Sequence, residues 1–126
     1  MRAIAILAFA LVSCASPQPE DDQRQAQELV GRVAGAPEHC VDFQPLSTLR
    51  IADGDRHMLL YGNGETIWAN NLGQCRFGSN DVLVTEPRGS RYCRGDIVKS
   101  FDRLSRIPGP TCILSDFVPY KKLKSR

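Results

Sequence analysis

Four cysteines, Cys40, Cys75, Cys93 and Cys112, divide an otherwise short chain, and a fifth, Cys14, stands apart from them directly behind an apolar run. Met1-Arg2 supplies one positive charge, and Ala3 to Val12 carries no charge and mostly apolar side chains. Ten helical residues rise about 15 Å against a hydrocarbon slab of about 30 Å, so the run is too short to span a bilayer and reads as a signal peptide. Leu11-Val12-Ser13-Cys14 resembles a lipobox, with branched apolar residues, a small residue and then the cysteine that receives the lipid. Residues 1–13 are therefore expected to be removed and Cys14 to become a palmitate-bearing anchor. The alternative is plain secretion, because Ser13-Cys14-Ala15 also has the small-x-small form of an ordinary cleavage site.

Cysteine parity agrees with the lipoprotein reading. Five cysteines in an exported chain leave one odd thiol, and assigning Cys14 to lipid leaves an even number. The remaining four are expected to form two disulfides. Spacing favours Cys75 with Cys93, on either side of one strand-like run, and Cys40 with Cys112 bracketing the domain, while crossed connectivity stays open. A zinc site is not expected, because none of the four lies within a few residues of another. His39 beside Cys40 does not make a catalytic pair either, since neighbours on an extended chain point to opposite faces.

The segment 14–36 reads as a lipidated cysteine followed by a flexible tether. It contains Ser16-Pro17-Gln18-Pro19, the acidic Glu20-Asp21-Asp22 and a Gln-rich stretch from Gln23 to Glu28 that offers a short helix through Leu29 and Val30. Residues 37–122 remain for one small domain, and 123–126 for a basic tail. A domain of that size buries a modest share of its surface, so two staples have an evident purpose.

Punctuation after residue 40 is that of strands. Leu46 to Ile51 runs into the turn Ala52-Asp53-Gly54-Asp55, and His57 to Tyr61 follows as an apolar run. Gly62-Asn63-Gly64 then signals a hairpin with a type I′ turn, and Glu65 to Asn70 returns. On that return strand Thr66, Trp68 and Asn70 face one way and Ile67 and Ala69 the other. Asp81 to Thr85 and Asp96 to Phe101 continue the pattern, with Pro87, Gly89, Gly95, Pro108, Gly109 and Pro110 as interruptions. The expected fold is all-β, a small barrel or two-sheet sandwich stapled by two disulfides.

Cys40-Val41, Leu49-Arg50, Trp68-Ala69-Asn70-Asn71-Leu72, Cys75, Arg91-Tyr92-Cys93-x-Gly95-Asp96-x-Val98 and Cys112-x-Leu114-x-x-Phe117-x-Pro119-Tyr120 together resemble an uncharacterised family of short exported proteobacterial lipoproteins. The similarity covers roughly residues 40–120. It implies paired cysteines and a periplasmic address, and it implies no activity.

Charge says little about partners. Sixteen Lys and Arg face 14 Asp and Glu, a near balance, and no segment resembles a nucleic-acid module, so no nucleic acid is expected as a partner. Lys121-Lys122-x-Lys124-x-Arg126 is a solvated terminus, or a patch for anionic lipid or cell-wall polymer. Arg88, Arg91 and Arg94 recur around Tyr92 and are the candidate anion-binding residues, able to present guanidinium groups to phosphate or carboxylate. Asp53, Asp55 and His57 read as a hydrophilic turn rather than a calcium loop, and Arg94-Gly95-Asp96 as a hairpin turn behind Cys93. No nucleophile elbow, phosphate loop or metal motif occurs, so no catalytic residue, metal or cofactor is expected. The function classes left are a non-catalytic envelope module that binds a protein or cell-wall component and an inhibitor of a cell-wall-degrading enzyme such as lysozyme. Ala15-Ser16 behind the lipidated cysteine lacks the aspartate of inner-membrane retention, so the outer membrane facing the periplasm is the expected location.

Overall fold

The computed structural model describes residues 26–123, and the expected signal peptide, Cys14 and the last three residues of the basic tail lie outside them. A 3-10 turn, Gln27–Leu29, precedes ten strands: β1 Arg32–Ala34, β2 Cys40–Asp42, β3 Arg50–Ala52, β4 Asp55–Tyr61, β5 Thr66–Asn71, β6 Asp81–Thr85, β7 Arg91–Cys93, β8 Ile97–Asp102, β9 Cys112–Ile113 and β10 Phe117–Lys122. The fold is all-β, as expected. Its strands form a five-stranded sheet in the order β1-β10-β5-β4-β3, a two-stranded sheet β2-β7 and a three-stranded sheet β6-β8-β9, every pairing antiparallel. They do not close into a barrel.

The large sheet is buried on both faces, which explains why Met58 to Tyr61 is almost continuously apolar. Leu59, Tyr61 and Phe117 point from it into the main core, where they meet Val41 of β2, Val98 of β8, Cys112 of β9 and the loop residues Leu72, Phe77 and Leu114. Leu60, Ile67, Ala69 and Ala52 point the other way and are covered by Ala26 and Leu29. The alternation read on β5 is thus present, with Ile67 and Ala69 sharing the second face.

Ala26 and Leu29 correct the expected domain boundary. Each is only 1% exposed, and β1 pairs Arg32 with Lys122, Val33 with Lys121 and Ala34 with Tyr120. Residues 26–36 are therefore part of the domain, not of a tether: a Gln-rich stretch hides two apolar residues that close the sheet's outer face. Lys121 and Lys122 likewise belong to β10 rather than to a loose tail. β10 is interior to its sheet yet contains Pro119, whose missing N–H falls where β1 has already ended; the Pro119 carbonyl accepts from the Gly35 N–H at 2.7 Å.

The β4–β5 hairpin forms where Asn63-Gly64 places it, with Tyr61 opposite Trp68. Its turn is not type I′: Gly62 (φ 90°) and Gly64 (φ 79°) take positive φ and Asn63 does not. The connection spans four residues, and Gly62 passes beneath the Trp68 ring, where a Cβ would lie 2.9 Å from ring carbons. The run Leu46 to Ile51 is strand only from Arg50 onward, because Leu46 takes a left-handed φ of 62° in a turn.

The disulfides are Cys40–Cys93 and Cys75–Cys112, so the pairing expected from spacing is overturned. Cys40 lies directly opposite Cys93 across β2 and β7. The Arg94 N–H donates to the His39 carbonyl just outside the pair, which makes it a non-hydrogen-bonded position, the one where opposed Cα atoms approach most closely. Pairing between strands 53 residues apart decided the connectivity.

Candidate functional site

A cleft opens where the β7–β8 turn meets the β6–β8 sheet, with a volume of about 320 Å³. Arg94-Gly95 forms the turn: the Asp96 N–H returns to the Cys93 carbonyl at 3.1 Å, Gly95 takes φ 91°, and the Asp96 carboxylate accepts the Cys93 N–H at 2.8 Å. The Arg94-Gly95-Asp96 element is thus a turn, but not the hairpin turn read from sequence. It joins strands of different sheets, since β7 pairs with β2 and β8 with β6 and β9. Two further bonds, Gly95 N–H to the Leu114 carbonyl and Leu114 N–H to the Asp96 carbonyl, both 2.9 Å, lock the turn against the β9–β10 connection.

Arg88, Arg94 and Lys99 bring positive charge to this cleft, Val84 and Ile97 supply apolar surface, and Glu86 and Asp96 add carboxylates. Arg94 is steadied by Asp116, its Nη1 3.3 Å from Oδ2. His39 Nδ1 approaches the other oxygen of Asp116 at 3.1 Å, but not along a hydrogen-bonding direction, and that buried Oδ1 has no aligned donor. Arg88 and Lys99 make no ion pair among the described residues. A site of this kind can hold a small acidic group beside an apolar moiety through charge-assisted hydrogen bonds.

Two of the three arginines singled out in the sequence meet here, and Arg91 does not. It lies on β7 opposite Asp42, 3.7 Å from its carboxylate, on the exposed side of the two-stranded sheet. Lys99 was missed. Its signal is the alternation Ile97-Val98-Lys99-Ser100, in which Val98 and Ser100 are buried and Lys99 shares the outer face with Ile97.

The other candidates resolve into structure. Asp53-Gly54 is the tight turn between β3 and β4, Gly54 at φ 92°, and Asp55 Oδ1 accepts the His57 N–H at 2.9 Å. His57 Nδ1 lies 3.2 Å from the Cys75 carbonyl oxygen, tying β4 to the loop that carries the second disulfide. Among the described residues no group of three His, Cys, Asp or Glu is placed to hold a metal ion, and no helix is long and apolar enough to cross a membrane. Cys40 is oxidised to Cys93 and offers no thiol beside His39.

Two carboxylates sit below their usual range. Glu28 is held down chiefly by its hydrogen bonds from Arg50, against an opposing effect of burial, with the charges of Arg50 and Arg32 adding to the lowering. Asp102 is lowered by the backbone N–H groups of Ser105 and Leu104. Neither group faces the cleft. No protein-family model, curated relative or solved structure matches the chain.

Proposed function

We propose that the chain is a lipid-anchored envelope protein whose domain is a non-catalytic binding module, and that the cleft of Arg88, Arg94 and Lys99 holds an acidic group of an envelope component. The observation that carries this reading is the convergence of three cations on one cleft with an apolar floor, two of them without an ion-pair partner among the described residues. The anchor is Cys14, supported by the lipobox-like Leu11-Val12-Ser13-Cys14 and by the pairing of the other four cysteines with one another. Outer-membrane placement facing the periplasm follows from Ala15-Ser16.

Two measurements test it. Palmitate labelling should mark the protein and vanish in Cys14→Ser. Glycerol phosphate, titrated into the protein and followed by NMR, should shift the signals of Arg88, Arg94 and Lys99, and Arg88→Glu with Lys99→Glu should abolish those shifts. Shifts at Arg91 instead of the cleft would sink the site assignment. A binding module of this kind leaves the clearing of cell-wall suspensions by lysozyme unchanged, whereas an inhibitor slows it.

A further inference from the structure

The three-stranded sheet has an outer face on which apolar side chains alternate with positive charge. Ile97, Lys99 and Phe101 share that side of β8 by the two-residue period. Register places Ile113 opposite Ile97, Val84 opposite Lys99 and Val82 opposite Phe101, on the same side. Val98, Ser100 and Cys112 fill the buried side. Val84, Ile97 and Ile113 are 39%, 52% and 63% exposed, and the loop joining β8 to β9 adds Leu104 at 80% and Ile107 at 64%. Half of the large hydrophobic side chains exposed among the described residues thus belong to this one sheet and its loop. A concentration of that kind marks an interaction surface.

The charges around it are sorted. Asp81, Asp96 and Asp102 turn their carboxylates to backbone donors, from Gly78, from Cys93, and from Leu104 and Ser105 respectively. Lys99, Arg88, Arg103 and Arg106 make no ion pair among the described residues. These three acids are therefore bound inward while base is left outward, with Glu86 the exposed carboxylate at the cleft. The loop is also firmly built: Arg103 N–H donates to the Asn80 carbonyl at 2.9 Å, Arg106 N–H to the Asp102 carbonyl at 2.8 Å, and Arg106 holds a left-handed φ of 60°, uncommon for a non-glycine residue. A fixed loop thus displays Leu104 and Ile107 beside Arg103 and Arg106.

We propose that this face rests on a bilayer with acidic headgroups, Leu104 and Ile107 entering the interfacial layer while Arg88, Lys99, Arg103 and Arg106 meet lipid phosphate. This rests on the cleft reading and makes its acidic group a phospholipid headgroup. Charge complementarity and shape favour a membrane over an acidic protein. The exposed apolar residues, Val84, Ile97, Leu104, Ile107 and Ile113, are aliphatic and spread among cations along a strand of about 20 Å. The aromatic on this face, Phe101, is half-buried rather than an exposed anchor of the kind that dominates protein interfaces.

The test is backbone hydrogen exchange of the full-length protein, reconstituted on vesicles of phosphatidylcholine alone or of equimolar phosphatidylcholine and phosphatidylglycerol. Exchange of residues 103–107 should slow by about fivefold or more on the acidic vesicles, the weight of roughly one cation at a charged surface. Leu104→Ser with Ile107→Ser should remove that slowing while β4 and β5 amides stay protected, which shows that the variant is folded. Equal exchange on both vesicle types, or slowing that survives the double variant, would overturn the proposal. Slowing by polyglutamate but not by vesicles would replace the membrane with a protein partner. Glycerol phosphate binding without vesicle protection refutes the membrane face and leaves the cleft standing; vesicle protection without glycerol phosphate shifts does the reverse.

Discussion

Cys40 and Cys93 face each other across β2 and β7 with their Cα atoms 4.0 Å apart, and their disulfide joins the two strands of that sheet covalently. The other disulfide, Cys75–Cys112, ties the loop after β5 to β9. Non-reducing peptide mapping should recover these two linked pairs. Replacing either pair with alanines should cost about 2–4 kcal/mol in denaturant unfolding. Loop lengths of 53 and 37 residues differ too little to separate the two by more than roughly 0.3 kcal/mol of closure entropy.

Asn70 ties β5 to the β9–β10 connection by polar contacts inside the protein. It is fully buried, its amide nitrogen donates to the Ser115 carbonyl at 2.7 Å, and its oxygen accepts the Ser115 N–H at 2.8 Å and hydroxyl at 3.1 Å. Asn70→Ala should destabilise by about 2–4 kcal/mol, because the Ser115 backbone groups lose their partners. Asn70→Asp should do no better, since a carboxylate cannot donate to the Ser115 carbonyl. Thermal unfolding of the two variants checks both outcomes.

Gly62 and Gly64 flank the same hairpin loop and differ in surroundings. A Cβ at Gly62 meets the Thr66 carbonyl oxygen and the Trp68 ring at 2.9 Å, and one at Gly64 meets nothing within 4 Å. Gly64→Ala should cost about 1–2 kcal/mol, the backbone penalty alone. Gly62→Ala should cost clearly more and should shift the Trp68 fluorescence, which Gly64→Ala leaves unchanged.

Asp102 gives the β8–β9 loop a pH dependence. Its carboxyl is held below the ordinary aspartate value by the N–H groups of Ser105 and Leu104. A depressed carboxyl contributes order to the folded loop above the unfolded value and loses it as pH falls through the lowered folded one. Exchange at Leu104 and Ser105 should therefore be constant near neutrality and rise, beyond its intrinsic pH trend, only in the acid range. Asp102→Asn should flatten that rise.

How far the sequence speaks depends on the range of the contacts. The β4–β5 hairpin was legible because Asn63-Gly64 and the flanking alternation are local signals. The turn type was not, since it depends on how closely the Trp68 ring crosses Gly62. β1 and β10 were hidden by their neighbours in sequence, a Gln-rich stretch in one case and Pro119 in the other. The disulfide pairs were beyond reach because β2 finds β7 only once the sheets assemble. At the cleft, three arginines spaced by three residues suggested a cluster. Arg91 alone of the three lies within β7, however, which pairs with β2 away from the cleft. Arg88 and Arg94 lie in the flanking loop and turn, and Lys99, further along the chain, takes the place of Arg91.

Leu29 and Ala26, seated against the outer face of the large sheet, also bound the reach of the proposed anchor. If Cys14 carries the lipid, the twelve residues from it to Ala26 set an upper limit of about 40 Å, the length of a fully extended chain. On that proposal the domain would work within a thin layer above its membrane, and a ligand would have to come to that layer.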